Sequence, residues 1–131
     1  MPTVLVVEDQ AESRRPMAKL LRLEGYDVIT ARDAYSAGAA IRQHSPDLVL
    51  LDVGIPPMDG LTMLAILYQD PSFEHVPVVV VTGQADDNTQ ARAQQLGVKC
   101  CLIKSRYTPE DLLDTVRRHV RKQEQVGGSS Q

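Results

Sequence analysis

Short, continuously apolar segments alternate along this chain with longer segments of mixed polarity. Five apolar runs have the length and the composition of strands that are buried on both faces. They cover residues 3–7, 27–30, 47–52, 76–82 and 98–103. Segments of helical length follow each run, at 11–24, 33–44, 59–69, 85–96 and 108–122. Strict alternation of strand and helix predicts a parallel sheet with helices on both of its faces.

Right-handed crossovers between parallel strands leave a small number of topologies for such a chain. We predict an α/β fold, a flavodoxin-like (βα)5 doubly wound parallel sheet with strand order 2-1-3-4-5. Residues 1–123 are expected to form one domain, and the Gly- and Ser-rich residues 124–131 a flexible tail or linker. In this strand order, the residues that follow strands 1 and 3 meet at one edge of the sheet.

Local signals support several of the predicted helix boundaries. Thr108 offers an N-cap for the last helix, and Gly25 and Gly97 stand where two other helices should end. Pro16 is the exception, because a proline inside a helix removes a backbone donor. The first helix is therefore expected either to begin late, near Ser13, or to kink at Pro16.

The composition excludes several classes of protein. A net charge of −3 over 131 residues gives no reason to expect a nucleic-acid surface. No apolar run approaches the length of a membrane span, and the chain does not begin with a secretory signal. Cys100 and Cys101 are adjacent, so an ordinary disulfide between them is not expected. We expect a cytoplasmic, reduced protein.

Three carboxylates follow the ends of two predicted strands. Glu8 and Asp9 come directly after the first strand, and Asp52 ends the third. Three acids at one edge of a sheet repel one another unless a cation lies among them. The pattern therefore predicts a Mg²⁺ site in which Asp52 is free to act as a nucleophile. The alternative is that these acids only cap helices.

Two further polar residues end strands that lead to the same edge. Thr82 ends the fourth predicted strand, and Lys104 follows the fifth. A lysine ammonium can neutralise one phosphoryl oxygen, and a threonine hydroxyl can donate to another. With Mg²⁺ on a third oxygen, this set is suited to forming an aspartyl phosphate.

Over residues 2–122 the chain resembles the receiver domain of two-component response regulators. The matching residues are Glu8-Asp9, Asp52 with Pro56-x-Met58-Asp59-Gly60, Val81-Thr82-Gly83, and Lys104. The resemblance implies that Asp52 is the phosphoacceptor and that Asp9 and Asp52 bind Mg²⁺ directly. It further implies that Glu8 binds Mg²⁺ through water and that the carbonyl of Gly54 is a backbone ligand.

The resemblance also assigns roles to the other polar residues and to partners. Thr82 and Lys104 would contact the phosphoryl group, which a sensor histidine kinase or a histidine phosphotransfer protein would donate. A downstream protein partner would bind the helix 4–strand 5–helix 5 face, and a phosphorylation-linked homodimer is a further expectation. No direct contact with nucleic acid or membrane is expected. Nor is an enzymatic activity expected beyond self-catalysed phosphotransfer and dephosphorylation.

Two of the departures from the family pattern bear on switching. Lys104 is followed by Ser105, where receivers usually have a proline, and Cys101 stands where they usually have an aromatic ring. Alternation along strand 5 places Cys101 on the opposite face from Cys100, toward helix 4. We therefore expect either modest switching at this face or a contribution from Tyr107.

Other functions on the same fold are alternatives. The chain could be a docking or dimerisation module in which phosphorylation is vestigial. A Mg²⁺-dependent phosphatase with an aspartate nucleophile needs a second acid two residues after it, and that position is Gly54 here. A flavin-binding protein is disfavoured because no hydroxyl-rich phosphate loop follows the first strand.

Overall fold

The structure is a computed structural model that describes residues 2–54, 59–73, 76–83 and 87–120. Five strands and five α-helices alternate within these residues. The strands are β1 (Thr3–Val7), β2 (Asp27–Ala31), β3 (Leu48–Asp52), β4 (Val78–Thr82) and β5 (Cys100–Ile103). The helices are α1 (Ala11–Leu23), α2 (Ala34–His44), α3 (Gly60–Leu67), α4 (Asp87–Gln95) and α5 (Pro109–His119). A short 3-10 helix, Pro71–Phe73, precedes β4.

All five strands are parallel and lie in the order β2-β1-β3-β4-β5. The predicted fold class and strand order are thereby confirmed. Strand β4 begins two residues later than predicted, because Pro77 has no N–H with which to pair. Strand β5 also begins two residues later, and Lys99 lies in the segment that leads into it. The register aligns the ends of the strands, with Val7 beside Leu51 and Thr82 beside Ile103. This alignment brings the residues that follow the strands to one edge of the sheet.

Alternating strand residues divide the core into two layers, one on each face of the sheet. One layer packs β1, β3 and β4 against α2, α3 and α4, and its central residues are Leu5, Val49, Leu51, Val80, Ala37, Leu61, Leu64 and Ala93. The other packs the same strands against α1 and α5, and its central residues are Val6, Leu50, Val79, Val81, Met17, Leu21, Leu112 and Val116. Burying a Val or Leu side chain stabilises a fold by about 1.5–3 kcal/mol relative to exposure. Burial of the strands therefore holds the residues at their ends in fixed positions.

Most of the predicted helix ends are where the sequence signals place them. Gly25 and Gly97 follow α1 and α4 with φ values of 99° and 81°, which favour glycine. The Thr108 side chain accepts a hydrogen bond from the backbone N–H of Asp111, whose carboxylate accepts one from the N–H of Thr108. This reciprocal capping box fixes the start of α5.

Of the two alternatives for α1, the late start is wrong, and the kink at Pro16 stays a prediction. The helix begins at Ala11 and continues through Pro16. Its first turn forms because the carbonyl of Gln10 accepts hydrogen bonds from the N–H groups of Ser13 and Arg14, at 3.1 Å and 2.9 Å. The proline lies beyond that turn, so its missing donor does not prevent the helix from starting.

Helix α4 is held less firmly than its neighbours. Ala93 is its buried residue within Asp87–Gln95, whereas α3 buries five residues. The predicted start of this helix at 85 lies outside the described residues, and so does the tail at 124–131. Helix α5 ends at His119, earlier than the predicted 122, because the backbone of Val120 is extended. Among the helices that are described, none has both the length and the apolar character needed to cross a bilayer.

Candidate functional site

The parallel register brings the predicted site residues together at the carboxyl ends of the strands. Glu8 and Asp9 directly follow β1, and Asp52 and Thr82 are the last residues of β3 and β4. Lys104 follows β5, and its backbone N–H donates to the carbonyl of Thr82 at 2.8 Å. Backbone pairing between the strands therefore fixes the Cα positions of these residues at the carboxyl ends of the strands.

Three carboxylates form a compact acidic cluster. Glu8, Asp9 and Asp52 each place one oxygen so that the three oxygens lie within 4.8 Å of one another. Glu8 is 1% exposed and Asp52 8%, whereas Asp9 is open to solvent. Carboxylate oxygens at this spacing suit a hard divalent cation that keeps several of its waters. The donor set therefore fits the predicted Mg²⁺ site.

The amino group of Lys104 lies between two of these acids. Its Nζ is 2.6 Å from Oε1 of Glu8 and 3.3 Å from Oδ2 of Asp52. Partial burial lowers the pKa of Lys104, but the hydrogen bond that its ammonium donates to Glu8 and the charge of Asp52 raise it by more, so the pKa is above its ordinary value. The ammonium group is therefore charged at neutral pH. The shorter contact to Glu8 was not predicted, because the sequence relates Lys104 only to a phosphoryl group on Asp52.

The pKa of Glu8 is raised well above that of an ordinary glutamate. Burial raises its pKa, the hydrogen bond from Lys104 lowers it, and the neighbouring Asp52 raises it, for a value of about 7 against an ordinary 4.5. The backbone N–H of Gln10 also donates to Oε2 of Glu8 at 3.2 Å. Near neutral pH this carboxyl is therefore poised between its two protonation states.

The loop after β3 is packed closely against Asp52. The N–H of Gly54 donates to Oδ1 of Asp52 at 3.1 Å, which orients the carboxylate. A Cβ on Gly60 would lie 2.7 Å from the carbonyl oxygen of Asp52, and the N–H of Gly60 donates to the carbonyl of Val53 at 2.6 Å. Glycine is needed here for this close approach. Pro56 and Met58 of the predicted motif lie outside the described residues, and the role of the Gly54 carbonyl stays a prediction.

Two arginines, which were not identified from the sequence, hold the surroundings of the site. Nη1 of Arg14, on α1, donates to the carbonyls of Glu8 and Asp9 at 3.0 Å and 3.3 Å. Nη2 of Arg92, on α4, is 3.3 Å from Oδ1 of Asp59 and 3.2 Å from Oγ1 of Thr62. Neither arginine belongs to a short sequence motif. The sequence could not identify their contacts, because residue spacing does not show which groups the end of a long side chain will reach.

Strand β5 separates the two cysteines as alternation predicts. Cys101 packs in the layer that contains Ala93 of α4, and Cys100 packs in the layer of α1 and α5. Burial, and to a smaller extent Cys100, raises the pKa of the Cys101 thiol. Tyr107 packs with Cys100 in the α1–α5 layer. Tyr107 and Cys101 therefore pack in different layers, although both line one surface cavity beside the edge strand β5.

Known proteins similar to this chain share both its sequence pattern and its fold. Over 118 residues the chain is 29% identical to the polar-differentiation response regulator DivK of Brucella anthropi, covering 90% of this chain and 95% of DivK. The structure of the chemotaxis protein CheY4 of Vibrio cholerae matches with a TM-score of 0.85 and 27% identity, over 92% of this chain and 99% of that one. The Mn²⁺-bound form of the response regulator Rcp1 matches with a TM-score of 0.75 and 31% identity, over 90% and 91%.

The sequence model of one family covers most of the chain. The model that describes the response regulator receiver domain matches residues 4–117, a span that runs from β1 into α5 and includes all six predicted site residues. The fold, the acidic cluster and this match agree with the resemblance drawn from the motifs. The chain belongs to the response regulator receiver domain family.

Proposed function

We propose that this chain is a phosphoacceptor switch of a two-component system and that Asp52 accepts the phosphoryl group. The observation that supports this most strongly is the position of the Asp52 carboxylate, within a compact acidic cluster and 3.3 Å from the ammonium group of Lys104. An attacking carboxylate needs neighbours that neutralise the incoming phosphoryl oxygens: Lys104 offers one positive charge, and the acidic cluster would hold a divalent cation that supplies more.

In the proposed reaction, an oxygen of Asp52 forms a bond to the phosphorus of a phosphohistidine. The N–P bond breaks and the imidazole leaves with the bonding electron pair. Lys104 would neutralise one phosphoryl oxygen, and the hydroxyl of Thr82 would donate to another. The donor would be a sensor histidine kinase or a histidine phosphotransfer protein, in keeping with the way receiver domains interact with kinases.

Receiver domains bind a divalent metal at an acidic pocket, and here that metal is proposed to be Mg²⁺. Asp9 and Asp52 would bind it directly, Glu8 through water, and the carbonyl of Gly54 would complete the protein ligands. When bound, Mg²⁺ supplies positive charge to the phosphoryl oxygens. Asp9 is the exposed member of the cluster, so it offers the cation a route of entry.

Phosphorylation is proposed to change the affinity of the α4–β5–α5 face for a downstream protein. Lys104 follows β5 directly and Thr82 ends β4, which pairs with β5. A movement of either residue toward a phosphoryl group would therefore pull on the edge strand. No turnover of a separate substrate is proposed.

Incubation with acetyl phosphate and Mg²⁺ tests the central claim. We expect the intact mass to rise by one phosphoryl group, in a bond that alkali cleaves, and we expect Asp52→Asn to abolish the gain. Asp47→Asn is the matched control, because Asp47 is also a buried aspartate but directly precedes β3, at the amino-terminal ends of the strands. Uptake by the Asp52 variant would assign the nucleophile elsewhere. No uptake by the unaltered chain would favour the docking module.

A further inference from the structure

Arg14 makes an unusual set of contacts for a basic residue at the start of a helix. It lies in the first turn of α1, and one of its guanidinium nitrogens donates to the carbonyls of both Glu8 and Asp9. The positive end of the helix dipole disfavours a cation at this position. A positive charge beside the acidic cluster also opposes the binding of a second cation. The three neighbouring carboxylates attract a positive charge, but that attraction alone does not account for the hydrogen bonds that Arg14 donates to the two backbone carbonyls.

The segment that Arg14 contacts is also held by hydrogen bonds at its other groups: the N–H of Gln10 donates to Oε2 of Glu8, and the carbonyl of Gln10 accepts from the N–H of Arg14. Gln10 is the N-cap of α1 and makes no capping hydrogen bond with its side chain. The segment is held at one end by the N–H of Glu8, which donates to the carbonyl of Ala31 at 2.9 Å. The Arg14 guanidinium then fixes the two carbonyls that follow. The peptide units carrying both acids are thereby oriented from α1.

We propose that Arg14 is a positioning residue for the metal site. It holds the backbone of Glu8 and Asp9 so that their carboxylates converge with that of Asp52. This inference depends on the metal site of the proposed function, which it deepens by naming the residue that preorganises two of the ligands. Groups that orient metal ligands typically change metal affinity by 10–100-fold when they are replaced.

The sign of the effect separates positioning from simple charge. If Arg14 acts only through its charge, Arg14→Gln removes a repulsive cation and Mg²⁺ binds the same or more tightly. If Arg14 positions the ligands, the same substitution weakens Mg²⁺ binding, by roughly tenfold at the low end of the range for such groups. Arg14→Lys keeps the charge but replaces the rigid planar guanidinium by an ammonium on a flexible stem, so positioning predicts an affinity between those of the unaltered chain and Arg14→Gln.

The experiment is a calorimetric Mg²⁺ titration of four full-length chains: unaltered, Arg14→Gln, Arg14→Lys and Arg15→Gln. Arg15 is the matched control because it is the next residue in the same turn and is exposed. Its substitution removes the same charge and should leave Mg²⁺ affinity unchanged or slightly higher. Amide NMR spectra without metal should show shifts at Asp9 and Gln10 in the Arg14 variants, while the resonances of β3 and β4 confirm an intact fold.

Two outcomes overturn the inference, and they can be told apart. Equal or tighter Mg²⁺ binding by Arg14→Gln, in a folded chain, would show that Arg14 acts as a charge and not as a positioning residue. The proposed metal site would survive that result. If the unaltered chain itself binds no Mg²⁺, the metal site of the proposed function fails, and the inference fails with it.

Discussion

Burial of Glu8 should make the stability of the metal-free domain depend on pH above the range in which carboxyl groups ordinarily titrate. Its pKa is raised from 4.5 to about 7, chiefly by desolvation. Each pKa unit corresponds to about 1.4 kcal/mol of differential free energy, so the shift represents about 3 kcal/mol. Replacing Glu8 by Gln keeps the size of the side chain and removes the titration.

The direction follows from which state binds the proton. Between pH 4.5 and about pH 7 the folded chain holds a proton on Glu8 that the unfolded chain has lost. The stabilisation is therefore complete below pH 4.5 and disappears as the pH rises through about 7. Burial and neighbouring cations lower the pKa of His119, which gives the opposite slope in part of this range. That slope is common to both proteins and cancels in their difference.

Urea unfolding followed by circular dichroism measures this difference, since the chain has no Trp for fluorescence. With a chelator present, the free energy of unfolding of the unaltered chain should fall relative to Glu8→Gln by about 3 kcal/mol from about pH 4.5 to pH 8. Metal ligands must be deprotonated, so Mg²⁺ should stabilise the unaltered chain more at high pH than at low pH. Parallel curves for the two proteins would refute the raised pKa of Glu8.

Two further predictions concern the packing beside the site. Gly60→Ala should cost about 1–3 kcal/mol of unfolding free energy in urea, because the new Cβ would meet the carbonyl of Asp52 at 2.7 Å. Gly83→Ala, where a Cβ would meet nothing within 4 Å, should stay within about 0.5 kcal/mol, and equal losses in the two variants would contradict the close approach. A double-mutant cycle of Asp59→Ala and Arg92→Ala should give a coupling of about 0.5 kcal/mol, as expected for a half-exposed pair. Zero coupling would show that the pair does not stabilise the contact between α3 and α4.

The sheet and the positions of the site residues could be predicted because both depend on backbone periodicity. Apolar runs of strand length separated by helical segments define the alternation, and parallel strands bring their carboxyl ends to one edge. Asp52, Thr82 and Lys104 each stand at or directly after the end of a strand, so their neighbourhood followed from the topology. Strand lengths were less accurate, because apolar residues in the approach to a strand also pack against the core, as the buried Val76 and the partly buried Val98 do.

The contacts made by long side chains could not be predicted in the same way. Lys104 approaches Glu8 more closely than Asp52, and Arg14 reaches back to backbone carbonyls from the first turn of α1. Both outcomes depend on rotamers and on competition between partners, which the sequence pattern does not encode. Pro16 shows a related limit, because a proline within a helix has little effect on where the helix begins once its first turn is already hydrogen-bonded.

The small amount of apolar surface that α4 buries has a consequence for how the domain opens. With Ala93 as its buried residue, this helix gives up little apolar burial when it leaves the sheet. Its amides should therefore exchange with solvent at free energies well below that of global unfolding, while those of β1, β3 and β4 exchange only with the whole fold. A ligand can shift a conformational equilibrium only by its differential affinity for the two states. A low free energy of opening reduces the differential affinity that is needed. A few new hydrogen bonds at the carboxyl ends of the strands should then be enough to shift the population of α4 between its packed and its open position.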